Sequence, residues 1–405
     1  MASDLKVKNY KVYKMSLTTL SPIFIGSGET INKSGYLYNQ NAGIINIVDE
    51  RKLVNILREK KLFDSFLGSC IYGDFNFRDF IKKNSAKNYL KIDDITKYRV
   101  KTYSKISTYD KNNKETLNDI NTFIKSSNGK PYIPGSSIKG AIRTAIVYGE
   151  ILKNKDKYIN IFSELLKTEP GSKDANKLSR VIEKNILGDK IDIFRKFSIS
   201  DTNETDLSDL YISRRFDLID NKGMNEKLPI FLEVLRQGIK FDFLLTINGN
   251  FSIKELSKYF NNFYNSNEED NTFYKDYLNL SSIVRKNKID KYPLFDGSLN
   301  ILPNIFIGGS NGFLTKSIIY AIRKNKDNDL HIEMSKIVNY MKHYFDKRMV
   351  YFNKKLKRLV PQHKHVVKDE NISPRTLRFV KDYKDNKNNY IGLGMCEIKV
   401  EKELC

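Results

Sequence analysis

Lys139 and Arg143 stand four residues apart, directly after Gly135-Ser136-Ser137. Residues four apart share a helix face, so the two cations would lie side by side. The surrounding stretch Lys130–Ala145, KPYIPGSSIKGAIRTA, opens on Pro131 and Pro134, which enforce extended backbone. Ile138, Ala141, Ile142, Ala145 and Ile146 then recur at helical spacing. With Ser136 or Ser137 as N-cap, the pattern reads as strand, glycine turn and helix start. A helix start offers unpaired backbone N–H groups and the positive end of a dipole, and both suit a phosphate. The chemistry on offer is therefore non-covalent: a grip on a nucleic-acid backbone. A capped helix with a solvated basic edge is the plainer reading of the same residues.

Two further glycine clusters invite the same chemistry. Gly26, Ser27 and Gly28 would let backbone approach a phosphate closely, or simply end a strand. Gly308 and Gly309 begin the run GGSNGFLTKS, which tempts one toward a nucleotide-binding P-loop. That loop needs glycine immediately before its lysine; here Thr315 holds the position, and Gly312 lies four residues before Lys316. ATP binding is excluded at this run, whereas a glycine loop with Lys316 as a point charge still suits an RNA phosphate. Arg214 and Arg215 form a smaller basic pair of the same kind.

Catalytic constellations are scarce. The four histidines are His331, His343, His363 and His365, and no carboxylate cluster stands beside them at metal-ligand spacing. Asp201 and Asp206 read as turn residues. No catalytic residue, metal or cofactor is expected. A metal-independent ribonuclease using one histidine with a lysine or tyrosine is the alternative from the enzyme class.

Composition favours a polyanionic partner. The chain carries 70 Lys plus Arg against 48 Asp plus Glu, a formal net charge of +22, and neutralising phosphates releases counterions. It also has 24 Tyr and 24 Phe, enough for a few to stack on unpaired bases beyond those in the core. Cys70, Cys396 and Cys405 are too few and scattered for a disulfide framework or a zinc site, which suits a reducing compartment. The first residues lack an apolar signal region and no stretch approaches a membrane span, so a soluble cytoplasmic protein is expected.

The elements that must position these residues follow from periodicity. Strands are expected over residues 9–20 and Ile44–Val48, with a helix from Glu50 to Phe66. The polar stretch 70–129 reads as an insertion with short helices. A helical region is expected over Tyr158–Leu187, interrupted at Glu169-Pro170-Gly171, and Phe194–Ser200 with Leu210–Leu218 reads as a strand pair. Ile230–Leu235 and Ile239–Ile247 read as a hairpin around Gln237-Gly238. A helix is expected over Ile253–Tyr264 and a long one over Ser335–Leu359, with a basic outer face, before a closing strand at Cys396–Val400. Strands separated by helices, with hairpins present, imply an α+β architecture. The expected division is 1–226, holding the insertion, and 227–405. LSPIFIGS near Leu20 and LPNIFIGG near Leu302 faintly echo one another.

These motifs resemble a known family. GSSIKGAIR, Gly135–Arg143, is similar to the helix-opening motif of the RAMP proteins of CRISPR–Cas effector complexes. LTTLSPIFIGSGE, Leu17–Glu29, resembles their first strand and turn. The run Gly308–Ser317 resembles a glycine-rich feature of their second half, and Gly392–Gly394 their closing glycine motif. Length and motif order are most similar to the Csm-complex subunit that caps the crRNA 3′ end in type III-A systems. The resemblance implies two ferredoxin-like (RRM-like) domains with a helical insertion and a non-catalytic role in antiviral defence. It also implies crRNA binding through Gly26, Ser27, Gly28, Gly135, Ser136, Ser137, Lys139, Arg143, Gly308, Gly309 and Lys316. The implied partners are crRNA, the repeating backbone subunit, other subunits of the Csm complex and recruited host ribonucleases. A RAMP endoribonuclease that processes precursor crRNA is the alternative.

Overall fold

The structure, a computed structural model, describes residues 10–72, 76–109, 115–169, 172–174, 194–219, 223–225, 228–249, 252–257, 304–309, 334–348, 350–361, 376–382 and 390–404. The chain begins with β1 (Tyr10–Thr19), β2 (Gly26–Ile31), β3 (Tyr36–Asn39) and β4 (Ile44–Val48). Helices α1 (Glu50–Glu59), α2 (Phe63–Tyr72) and α3 (Phe77–Ala86) follow. Next come β5 (Thr96–Thr102), β6 (Ser107–Tyr109), β7 (Glu115–Leu117) and β8 (Ile120–Phe123), then α4 (Gly135–Lys153) and α5 (Lys155–Lys167). The following strands are β9 (Phe197–Ile199), β10 (Leu210–Arg214), β11 (Phe216–Ile219), β12 (Gly223–Asn225), β13 (Phe231–Leu235) and β14 (Lys240–Asn248). After α6 (Ile253–Ser257), β15 (Ile305–Phe306) and α7 (Met334–Arg348) come β16 (Val350–Asn353), β17 (Arg358–Pro361), β18 (Thr376–Lys381), β19 (Tyr390–Gly392) and β20 (Met395–Glu403). The architecture is α+β.

Three sheets carry the fold, in orders β15-β20-β1-β14-β9, β2-β8-β13-β10-β5-β4-β3 and β12-β11-β18-β19. In the first sheet Met15 pairs with Phe243 and Leu17 with Phe241 across one edge of β1, and Leu17 with Ile398 across the other. Cross-strand partners share a face, so these apolar side chains form one buried surface. Ile138, Ile142 and Ile146 of α4, one helical turn apart, are buried in the same core. Full burial of each such side chain is worth about 1.5–3 kcal/mol. The first sheet draws strands from both sides of residue 226.

A helical insertion, α1–α3, leaves between β4 and β5 and keeps its own small core of Leu53, Leu57, Phe77 and Ile81. Asp49 caps α1 by accepting from Arg51 N and Lys52 N, both at 3.1 Å. The single helix expected over Glu50–Phe66 is broken at Lys61, whose φ of 55° is left-handed. Downstream of α3, the polar stretch expected to hold short helices instead supplies β5 and β8 to the second sheet.

Three other expectations differ, the first two because strand partners lie far away in sequence and the third because a local turn replaces helix. Phe194–Ser200 and Leu210–Leu218 do not pair with each other; β9 pairs with β14, and β10 with β13 and β5. β13 and β14 flank Gln237-Gly238 but belong to different sheets, because Gly238, at φ 84°, bonds Thr19 O and swings the chain across. The helix expected over Ser335–Leu359 ends at Arg348, and Val350–Pro361 is the hairpin β16–β17. There the Asn353 side chain accepts from Lys355 N and Leu356 N, closing the turn, so Phe352 and Leu359 become exposed cross-strand partners.

Candidate nucleic-acid interface

The start of α4 differs from the expected serine cap. Pro134 is the N-cap residue, in extended backbone and with no side-chain cap. Ser136 is exposed and Ser137 half-buried within the first turn. The capping charge comes from Asp201, whose Oδ1 accepts from Gly135 N at 2.8 Å. Asp201 is thus more than a turn residue: its carboxylate already occupies the place an anion would take. Gly135 is required because a Cβ there would lie 2.3 Å from Ile199 O and 2.6 Å from Ser200 O. Thr202 tightens the seam by accepting from Ile133 N at 2.9 Å.

Lys139 is half-buried, one turn before Arg143 on the same helix. Its Nζ donates to Phe197 O at 2.9 Å and lies 5.1 Å over the Phe197 ring. Burial alone pulls its pKa below the ordinary lysine value. Arg143, one turn further along, is exposed. Lys139 therefore ties α4 to β9, and the outer edge of the helix falls to Ser136 and Arg143.

Glycine motifs remote in sequence converge on one strand exit. After β1, Leu20 N and Ser21 N donate to Met395 O at 2.9 and 3.1 Å, and Ser21 Oγ accepts from Met395 N at 2.9 Å. Gly394 N donates to Pro22 O at 2.9 Å, and Ile23 exchanges two bonds of 2.9 Å with Leu235. Gly309 N donates to Phe24 O at 2.6 Å. Gly308 has φ 93°, and a Cβ there would lie 2.4 Å from Phe24 O. The two echoing IFIG segments therefore pack against one another, with Gly392–Gly394 beside them.

That junction opens outward at Gly26-Ser27-Gly28. β2 is the edge strand of the second sheet and its register against β8 is bulged here. The hydroxyls of Ser27 and Thr122 share a hydrogen bond at 2.5 Å, and Ser27 Oγ accepts from Glu29 N. Gly28 has φ 88°, with no heavy atom within 4 Å of where its Cβ would stand. Ile124 N bonds Ile25 O, and Lys125 bridges Pro131, so a short segment joins this edge to the start of α4. Lys316 lies outside the described residues.

One group escaped the sequence reading. Glu233, in the apolar strand FLEVL, is fully buried and holds Lys125 at 2.5 Å. Its two oxygens also accept from Tyr98 Oη and Phe123 N, each at 2.9 Å. A lone carboxylate in an otherwise apolar strand was the available signal. Burial first, and the Glu233 charge next, push the Tyr98 phenol well above its ordinary range. This network fixes β8 and the segment leading to α4 against β13.

His343 is exposed on α7, and His331, His363 and His365 lie outside the described residues. Among the described residues, no three His, Cys, Asp or Glu side chains come together to hold a metal, and no helix is long and apolar enough to cross a membrane.

The chain is similar to proteins named CRISPR system Cms protein Csm5. It is 26% identical to the one from Streptococcus thermophilus over 318 residues, covering 76% of this chain and 81% of that protein. It is 28% identical to the one from Methanocaldococcus jannaschii over 343 residues, covering 78% and 75%. The fold is shared with a chain of the Csm–crRNA–target RNA ternary complex of a type III-A CRISPR–Cas system, at a TM-score of 0.55 and 18% identity over 95% of this chain and 100% of that one. It is shared equally with the crystal structure of T. onnurineus Csm5, at a TM-score of 0.54 and 16% identity over 94% and 99%. The RAMP superfamily model matches residues 16–395, from β1 through α4 and the glycine junction to the first residue of β20, and the chain belongs to the RAMP superfamily.

Proposed function

We propose that this chain is the crRNA-binding, non-catalytic subunit of a type III-A Csm effector complex, capping the backbone filament at the crRNA 3′ end. The observation that carries the reading is the glycine junction. Gly308, Gly309 and Gly394 bring three chain segments to one place, where Gly26-Ser27-Gly28 leaves backbone open at a sheet edge. Open backbone of this kind suits a phosphate, and the chain's net charge of +22 supplies the long-range attraction. The names of its relatives support a place in the Csm complex. Ser136, Arg143 and Lys316 complete the proposed contact set; Gly135 and Lys139 hold α4 in position for it. The repeating backbone subunit is the proposed neighbour, and recruited nucleases would trim the guide.

The test has two parts. The purified protein should bind unrelated single-stranded RNAs with affinities within about a hundredfold, roughly 2.7 kcal/mol, because phosphate carries no sequence. Cells lacking the gene should accumulate complexes with shorter backbones or untrimmed guide 3′ ends. Restoring it with all four histidines replaced should rescue trimming. Cleavage of repeat RNA by the purified wild-type protein, lost in that variant, would turn the reading to an endoribonuclease.

A further inference from the structure

At Arg215 the chain steps from the second sheet into the third, its N donating to Ile230 O at 2.8 Å. Two residues on, Asp217 stands directly opposite Arg378 in the β11–β18 register. Arg215 Nη2 donates to Asp217 Oδ2 at 3.3 Å, Arg215 Nε lies 3.2 Å from Oδ1, and Arg378 Nε lies 3.9 Å from the same Oδ1. Among the described residues, one carboxylate thus faces two guanidinium groups, a local excess of one positive charge. The place is secluded: the Arg215 and Asp217 side chains are 12% and 15% exposed, and Arg378, at 36%, is the way in.

The pairing is also incomplete. Among the described residues, neither Arg215 Nε nor Asp217 Oδ1 completes a hydrogen bond, although the two are close. Burial, and then the Arg215 charge, pull Arg378 below its ordinary value. Arginine does not shed its proton in a protein, so such a pair is relieved by a second anion. A phosphate fits, because guanidinium forks grip its oxygens in pairs. The scaffold is firm: Lys381 N donates to Ser213 Oγ at 3.0 Å and Tyr211 Oη to Lys381 O at 2.9 Å, locking β18 to β10.

The register of the cluster beside the glycine junction points to RNA as the source of the phosphate. Phe379, next to Arg378, pairs with Gly392, so the cluster lies one step along β18 from the glycine junction. We propose that Arg215 and Arg378 form a binding site for a backbone phosphate of RNA, with Asp217 holding the arginines ready and giving up its place when the phosphate arrives. This rests on the RNA-binding reading above.

The test measures binding of a labelled oligouridylate across a salt series by the full chain. Arg378→Gln should weaken binding about tenfold and shallow the log–log salt slope by about 0.7. Asp217→Asn, nearly isosteric, should instead tighten binding a few-fold, since it frees the Arg215 fork. A purely architectural ion pair predicts the reverse for Asp217→Asn, with weaker binding and a lower melting temperature. That result, or an unchanged slope in folded Arg378→Gln, overturns the inference, including where the arginines serve a carboxylate of a neighbouring subunit. If Arg378→Gln does not fold, Asp217→Asn decides alone. Absence of binding by the wild-type chain overturns the RNA reading and this inference with it. Binding with an unaltered slope removes the inference only.

Discussion

Single atoms decide several positions in this protein. A methyl group on Gly135 would meet the carbonyls of Ile199 and Ser200, which are backbone and cannot swing aside. Gly135→Ala should therefore destabilise by about 2–3 kcal/mol, as overpacking does. Gly140, in the same helix with open space around it, is the control: Gly140→Ala should stabilise by about 0.5–1 kcal/mol. Urea melts of both variants check the pair, and equal effects would remove the steric argument. At Glu233, replacement by Gln leaves the Lys125 ammonium, 16% exposed, without its countercharge. The expected cost is about 3 kcal/mol, and Lys125→Met in the same chain should recover part of it. Both positions carry faint sequence signals. Gly135 was visible as a turn residue, but the reason for glycine lies in β9, some sixty residues away. Lys139 was visible as a cation, but its partner Phe197 O lies on that same strand.

Elements were legible where their signals are local. β1, β4, the start of α4 and the closing strand stand where apolar spacing places them, because burial of one face writes the period into the sequence. Partner choice was not legible, since a strand's alternation states which face is buried and not which strand lies beside it. That is why alternation alone makes β13 and β14 read as a hairpin and β9 and β10 as a pair. A different ambiguity explains β16–β17: Phe352, Leu356 and Leu359 have helical spacing, yet Phe352 and Leu359 also face each other across a short turn. The glycine motifs were legible one by one, while their meeting depends on β1, β15 and β20 sharing a sheet. An element-scale test follows for α4. Asp201→Ala removes the charge at its first N–H and should cost about 1 kcal/mol of stability. Asp201→Asn, which keeps the acceptor, should cost less; an equal loss would assign Asp201 to the turn alone.

At the scale of the whole molecule, buried phenols set the alkaline limit. Burial is the first cause that raises Tyr36, Tyr98 and Tyr211 above the ordinary 10.0. Above about pH 10 the unfolded chain releases these protons while the folded chain keeps them, so the unfolded state binds fewer and stability falls as pH rises. Lys139, lowered by burial, pulls the other way, while among the described residues burial raises Tyr38, Tyr158 and Cys396 as well. Melting temperature should drop between about pH 9 and 11, and Tyr98→Phe should flatten the drop. A wider consequence follows from β1, which lies between β14 and β20, with Ser21 bonding Met395 across a separation of 374 residues. A ribosome adding about 5–20 residues per second needs roughly 20–75 s to deliver that partner. Throughout this interval β1 emerges with an unsatisfied edge, and the first sheet cannot close. The nascent chain is therefore expected to engage chaperones until β20 is made. A circular permutant that begins at β20 and runs directly into β1 should gain its first sheet early and depend less on them.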